Sequence, residues 1–227
     1  MRAGGLAASM AVRRILLINP NSLEATTAMM VAIAKSVAAD GFDITGATAT
    51  RAPSMIVSAD ALEAAAPEVE EIAHLHRNSC DGIIVAAFGD PGLAGIRTAM
   101  DLPAVGIGES AMREAAENGR RFGVATTTPL LKAKIDALPD ALKLRSRYTG
   151  TRFADGDPQQ LIRDPARLRA ALADAVKACI EQDGAEAVII GGGPLGEAAR
   201  DLQPMFVVPV IAPIASAVRR IIGLVTT

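Results

Sequence analysis

Uninterrupted apolar runs of four to six residues recur along the chain, at 15–18, 82–87, 104–107, 122–125, 187–190 and 207–211, each closed by a turn-former such as Gly, Pro or Asn. A run without polar alternation is the mark of a strand buried on both faces, as in a parallel sheet covered by helices. Between the runs, at 23–40, 59–78, 111–118, 130–137, 165–183 and 214–224, apolar residues return every three or four positions, the period of an amphipathic helix. Strand alternating with helix predicts a parallel α/β architecture with six strands as the minimum.

A weak internal repeat overlies this pattern. RRILLINPNS (13–22) resembles RRFGVATTTP (120–129), and about 65 residues after each comes a strand running into glycine, CDGIIVAAFGDPG and GAEAVIIGGGPLG. The repeat predicts two similar halves. Loops after the carboxyl ends of their strands would then meet in a cleft, which is where open α/β sheets bind ligands.

Composition narrows the partners. The 227 residues suffice for one large α/β unit or two small ones, and half of them are apolar. Aromatics make up 3%, with no Trp and one Tyr, so the core is aliphatic and platforms for stacking bases are scarce. With 23 basic against 25 acidic residues there is no basic stripe to hold a phosphate backbone, and no nucleic-acid partner is expected. No apolar run reaches the length of a membrane span. The first fourteen residues lack a secretory apolar core, so residues 1–12 are expected to be a frayed extension, with Met10 an alternative start. Two cysteines, Cys80 and Cys179, are too few for a disulfide framework or a four-cysteine metal site. The expectation is a cytoplasmic protein with a small-molecule substrate and no membrane partner.

Candidate chemistry sits where the strands end. Asn19, Asn21 and Ser22 follow the first strand, where Asn21 or Ser22 would cap the next helix and the amides could receive a carbonyl. Asp90-Pro91 opens a helix in GDPGL, an ordinary structural pair. Thr126, Thr127 and Thr128 supply three hydroxyls where one cap is needed. GGGPLG at 191–196 fits neither dinucleotide nor P-loop spacing, and its consecutive glycines predict close approach by a ligand or an opposing backbone. His74 and His76, two apart on a helix, point in different directions and read as a surface pair; no metal site is expected.

The phrases INPNS, CDGIIVAAFGDPGL, VGIGES, FGVATTT, GAEAVIIGGG and PVIAPIASAV, in this order over about residues 13–225, resemble the hydantoin/allantoin racemase branch of the aspartate/glutamate racemase superfamily. The resemblance implies an α/β fold of two Rossmann-like, flavodoxin-like halves with parallel sheets, one from 13–110 plus 208–227 and the other from 111–207. It also implies a cofactor-free site in the cleft between them and a homo-oligomer. In that family two thiols face each other across the substrate, one removing a proton from the carbon beside a carbonyl and the other delivering one to the opposite face. Their positions correspond here to Ala87 and Gly192, so the resemblance implies that both thiols are replaced. Arylmalonate decarboxylase chemistry is disfavoured likewise, because its single thiol also corresponds to Gly192. Cys80 lies before its strand, at the far end of the sheet, and Cys179 falls on the apolar face of a helix, so neither is expected to stand in. Ala212, Met55 and Val57 are further departures from the family pattern.

What survives is a cradle: Asn19, Ser22, Thr126, Thr127 and the backbone around Ala87, Phe88, Gly89, Gly192 and Gly193. The expectation is an enzyme acting on a five-membered cyclic ureide, hydantoin- or thiohydantoin-like, by hydrolytic attack at a ring carbonyl or thiocarbonyl with sulfide release in the latter case. Glu109, ahead of Asp90, is the expected base for the water. The alternatives are an isomerase using a non-thiol pair and a ligand-binding relative without catalysis.

Overall fold

A computed structural model describes residues 12–226; the expected extension at 1–12 lies almost wholly outside them. Two four-stranded sheets, parallel throughout, organise the chain. The first is built from β1 (Arg13–Asn19), β2 (Phe42–Thr48), β3 (Gly82–Val85) and β4 (Ala104–Gly106) in the order β2-β1-β3-β4. The second repeats that order as β6-β5-β7-β8, with β5 (Phe122–Thr126), β6 (Tyr148–Phe153), β7 (Ala187–Gly191) and β8 (Val210–Ile211). The repeat seen in the sequence is therefore a repeat of topology. In both sheets strand order reverses between the first strand and its third, the place where an open sheet leaves a crevice at its carboxyl edge.

The central strands β3, β5 and β7 are buried along their whole length, which is why they read as continuous apolar runs. β2 and β6 are edge strands with half-exposed, polar-rich sequences, FDITGAT and YTGTRF, so no apolar run announced them. Helices α1 (Glu24–Val37), α2 (Ala59–His76), α3 (Leu93–Ala99) and α4 (Ile107–Ala115) connect the first sheet and lead to the second. They are followed by α5 (Lys132–Ala141), α6 (Pro158–Arg163), α7 (Pro165–Glu181), α8 (Gly196–Leu202) and α9 (Pro213–Val225).

The crossings differ from the expected boundaries. Val210 and Ile211 pair with Val188 and Ile189, so the chain stays with the second sheet past residue 208 and leaves it at Ala212. Beyond that point Ile214, Ala217, Val218 and Ile221 of α9 pack with Ile15, Leu17, Ile84 and Val105 of the first sheet. α4 spans the expected join at 110: Ile107 packs in that first core, whereas Ala111, Met112 and Ala115 pack with Phe122 and Val124 of the second sheet. This helix starts at 107 rather than 111, which places Glu109 in its first turn and not on a loop.

Candidate active site

The carboxyl ends of β1, β3, β5 and β7 surround one cavity of about 230 Å³. Asn21, Leu23, Thr26 and Met29 close it on the α1 side, and Ala86, Ala87 and Phe88 form the wall after β3. Thr127, Thr128 and Leu131 come from the segment after β5, and residues 191–195 from the turn after β7. Ser54, Met55, Ile56, Leu62 and Ile162 complete the lining. The two halves meet beneath it: a methyl group built on Gly193 would stand 3.1 Å from the Ala86 carbonyl and 2.5 Å from the Met30 sulfur, so any side chain here would force Met30 and the Ala86 backbone to shift.

Of the residues expected from sequence, Ala87, Phe88, Thr127, Gly192 and Gly193 line the cavity; Asn19, Ser22, Gly89, Asp90, Glu109 and Thr126 do not. All of the latter except Ser22, which is tied down only by its backbone N–H donating to the Pro53 carbonyl at 3.2 Å, have a structural occupation among the described residues. Asn19 is fully buried; its amide nitrogen donates to Asn21 Oδ1 (2.9 Å) and Thr27 Oγ1 (2.9 Å), and its oxygen accepts from the Asn21 N–H (3.1 Å). Leu23, not Asn21 or Ser22, occupies the N-cap position of α1, with no side-chain cap, while Asn21 Oδ1 accepts from the Leu23 N–H at 3.0 Å. The hydroxyl of Thr126 donates to the Gly191 carbonyl at 2.6 Å, tying β5 to β7. Gly89 has φ +123°, and a side chain there would strike Leu62.

Both carboxylates expected to activate water are part of the framework. Asp90 sits at φ +51°, a conformation Asp tolerates better than most residues, and its two oxygens accept from the backbone N–H groups of Gly108 (2.8 Å) and Glu109 (2.7 Å). It thereby caps the start of α4 from across the sheet. Burial pushes its carboxyl up to about 7 against the pull of those two N–H groups. Glu109, 4% exposed, accepts from Arg97 at 2.8 and 3.1 Å and lies 2.8 Å from Arg220 and 3.4 Å from Arg113. Burial opposes its ionisation, but hydrogen bonds and charge from Arg97, with Arg220 and Arg113 behind, hold its carboxyl below the usual glutamate range. Two acidic residues at strand ends thus serve the α4 framework.

Neither thiol reaches the cavity. Cys179 is fully buried beneath β5 in a cluster with Leu172, Val176 and Val188, and burial, followed by the nearby Asp183 charge, pushes it up to about 12. Cys80 donates to the His76 carbonyl (3.4 Å) just before β3, and burial raises its pKa too. His74 and His76 are exposed at the end of α2, and no metal-holding group of His, Cys, Asp or Glu occurs among the described residues.

Among the described residues the cavity is therefore lined without an Asp, Glu, His, Lys, Arg or Cys. Its polar provision consists of hydroxyls, one amide and backbone N–H groups. Among the described residues, no acceptor is found for the N–H groups of Phe88, Thr127, Gly192 and Gly193, nor a partner for the Thr127 hydroxyl or the Asn21 amide nitrogen. Around them stand Leu23, Met29, Met55, Ile56, Leu62, Phe88, Leu131 and Ile162. Sequence reasoning placed the amide role on Asn19; Asn21, two residues further on, is the amide side chain that lines the cavity. The apolar wall at 55–62 and Ile162 carried no signal beyond Met55 and Val57 departing from the family pattern.

A pair of topologically equivalent parallel sheets, with one uncharged cavity at their facing carboxyl ends, defines a two-half α/β protein built around a central cleft. The chain belongs to the Asp/Glu/Hydantoin racemase family, whose model matches residues 15–221. It is 30% identical over 208 residues to the hydantoin racemase of Paenarthrobacter aurescens, covering 91% of this chain and 88% of that protein. Against the hydantoin racemase of Pseudomonas sp. (strain NS671) the identity is 31% over 207 residues, with 91% and 83% covered. The solved allantoin racemase from Klebsiella pneumoniae superposes with a TM-score of 0.89 at 28% identity, over 94% of this chain and 88% of that one. Among the described residues no helix is long and apolar enough to cross a membrane.

Proposed function

We propose that the cleft binds a neutral five-membered cyclic ureide of the hydantoin type carrying an apolar substituent, and that it does so without two-thiol proton transfer. The observation that carries this reading is the lining: free N–H and hydroxyl donors suited to ring carbonyls, set in an apolar wall that offers no ionisable side chain. A charged ligand would be left unpaired there, at a cost of several kcal/mol, whereas a neutral ring trades its water hydrogen bonds for those of the cleft. Inverting a ring carbon needs a base on one face and an acid on the other, and the resemblance puts those duties at Ala87 and Gly192, which have no proton to exchange. Threonine hydroxyls are too weakly basic at neutral pH to replace them. Of the alternatives raised by the sequence, a ligand-binding relative fits this geometry best.

The hydrolytic reading loses its named bases, because neither Glu109 nor Asp90 lines the cavity. Racemase-type isomerisation through non-thiol groups is the second reading, supported by identity with hydantoin racemases over nine-tenths of the chain.

Calorimetric titration with 5-alkylhydantoins, followed by product analysis and by proton exchange in D2O, tests these together. The expected result is saturable binding without consumption of ligand and without deuterium uptake at the ring carbon above the buffer rate. Thr127→Val should weaken binding roughly fivefold, corresponding to about 1 kcal/mol for one hydrogen bond. Deuterium uptake that depends on the protein would establish the isomerase reading instead. Absence of binding to any hydantoin, thiohydantoin or allantoin would overturn the proposal.

A further inference from the structure

Three guanidinium groups converge on a single carboxylate where α3, α4 and α9 meet, and none of the four side chains lines the cavity. Arg97 is fully engaged: Nε and one Nη donate to the Ala104 carbonyl (3.0 and 2.8 Å), and both Nη groups reach Glu109. Among the described residues Arg113 touches Glu109 only through Nε, at 3.4 Å, and neither of its Nη groups has a partner. Arg220 places one Nη 2.8 Å from Glu109 Oε1, while its Nε is buried and unpartnered. Among the described residues no other carboxylate lies within ion-pairing distance of these three arginines; the neighbouring Glu114 is taken by Arg219 through two 2.7 Å contacts.

The charge count does not balance. Three cations share one anion, and arginine cannot relieve their repulsion by losing a proton at any ordinary pH. Burial, and then the proximity of Arg113 and Arg97, lowers the pKa of Arg220 in spite of Glu109. The arginine side chains are 32–43% exposed while that of Glu109 is 6% exposed, so solvent reaches the guanidiniums on their outer side. Unspent, fork-shaped N–H donors on a surplus of positive charge suit an oxyanion, which guanidinium holds by paired, charge-assisted hydrogen bonds.

We propose that this cluster is a binding site for a small oxyanion, a phosphate or carboxylate group, gripped by the free donors of Arg113 and Arg220 outside Glu109. In this arrangement Glu109 competes with the ligand for the same guanidiniums. The site stands on its own geometry and does not depend on what occupies the cleft.

Calorimetric titration of the full chain with inorganic phosphate, at ionic strength held constant with chloride, tests it. One saturable site is expected, at least tenfold weaker in Arg113→Gln and in Arg220→Gln. In Glu109→Gln it should be several-fold tighter, because the competing charge is gone. Displacement of phosphate by succinate would extend the site to carboxylates, and failure to displace would restrict it to phosphates; either supports the proposal. Arg113 is the more exposed of the two, so its variant remains informative if Arg220→Gln fails to fold. The proposal is overturned if phosphate shows no saturable binding, if the arginine variants bind it unchanged, or if Glu109→Gln binds it no more tightly. It is equally overturned if the Arg113 substitution instead abolishes a concentration-dependent self-association, which would make the cluster a contact between copies of the chain.

Discussion

Replacing Glu109 by Gln separates a framework carboxylate from a catalytic one. The side chain is 6% exposed and meets three arginines, two of them at 2.8 Å. Removing one member of a buried ion pair costs about 3–5 kcal/mol, largely because the remaining charge is stranded. Here the stranded charges are 32–43% exposed and regain part of their hydration, and Gln keeps the shape and one acceptor, so about 2 kcal/mol is the appropriate figure. For a chain of this size that lowers Tm by roughly 4–8 °C. The acid limb should change too. A carboxyl held below its usual range contributes stability that is present above the unfolded glutamate pKa and is lost as pH falls through the folded value, so the variant should lose less stability on acidification than the parent. Thermal denaturation between pH 3 and 8, paired with hydantoin titration, reads all three effects. Ligand affinity should stay within about twofold, since no atom of Glu109 lines the cavity, and a factor of two is only about 0.4 kcal/mol. An unchanged Tm together with a tenfold loss of binding would refute the reasoning and return Glu109 to the site.

Asp90→Asn should remove a pH dependence of the opposite sign. With its carboxyl raised from 3.8 to about 7, the native state holds a proton that the unfolded chain has released, so this residue's contribution to stability falls as pH rises through that window; melting curves at pH 5 and pH 8 should lie closer together in the variant. Gly193→Ala forces a methyl within 2.5 Å of Met30 Sδ and 3.1 Å of the Ala86 carbonyl, where backbone cannot yield cheaply. A loss of about 1–3 kcal/mol by denaturant titration and weaker hydantoin binding are expected, and unchanged stability would show that the halves do not press together at this turn.

The architecture was legible wherever burial left a continuous mark. β1, β3, β5 and β7 are buried on both faces and read as apolar runs, and those four strands carry the cavity at their ends. β2 and β6 escaped because edge strands need no such run: half of Tyr148–Phe153 is polar and every residue in it is partly exposed. The return of α9 to the first sheet was implied by the family resemblance, but the position of the crossing was not. A two-residue strand such as Val210–Ile211 is fixed by pairing with Val188 and Ile189, a contact between positions more than twenty residues apart.

Polar residues at strand ends were legible as a group and ambiguous one by one, and the reason is physical. A helix start exposes N–H groups that need acceptors, and a ligand's carbonyls need donors, so the same Asn, Asp and Thr types accumulate at that edge for either purpose. Asn19, with its amide held by Asn21 and Thr27, and Asn21, whose amide nitrogen is free at the cavity wall, are two residues apart in one motif and differ only in which way the chain turns after β1. Thr126 and Thr127 divide in the same way, the first donating to Gly191 and the second facing the cleft. Glu109 was misplaced for a related reason. GIGES reads as a strand running into a loop, but Asp90, nineteen residues earlier, accepts from the Gly108 and Glu109 N–H groups and starts α4 at once, which carries the Glu109 side chain to Arg97 and Arg220 instead of the cleft. A carboxylate's partners, more than its place beside a strand, decide whether it can take a substrate's proton, and two of the three that hold Glu109, Arg97 and Arg220, lie in α3 and α9, on either side of it in sequence.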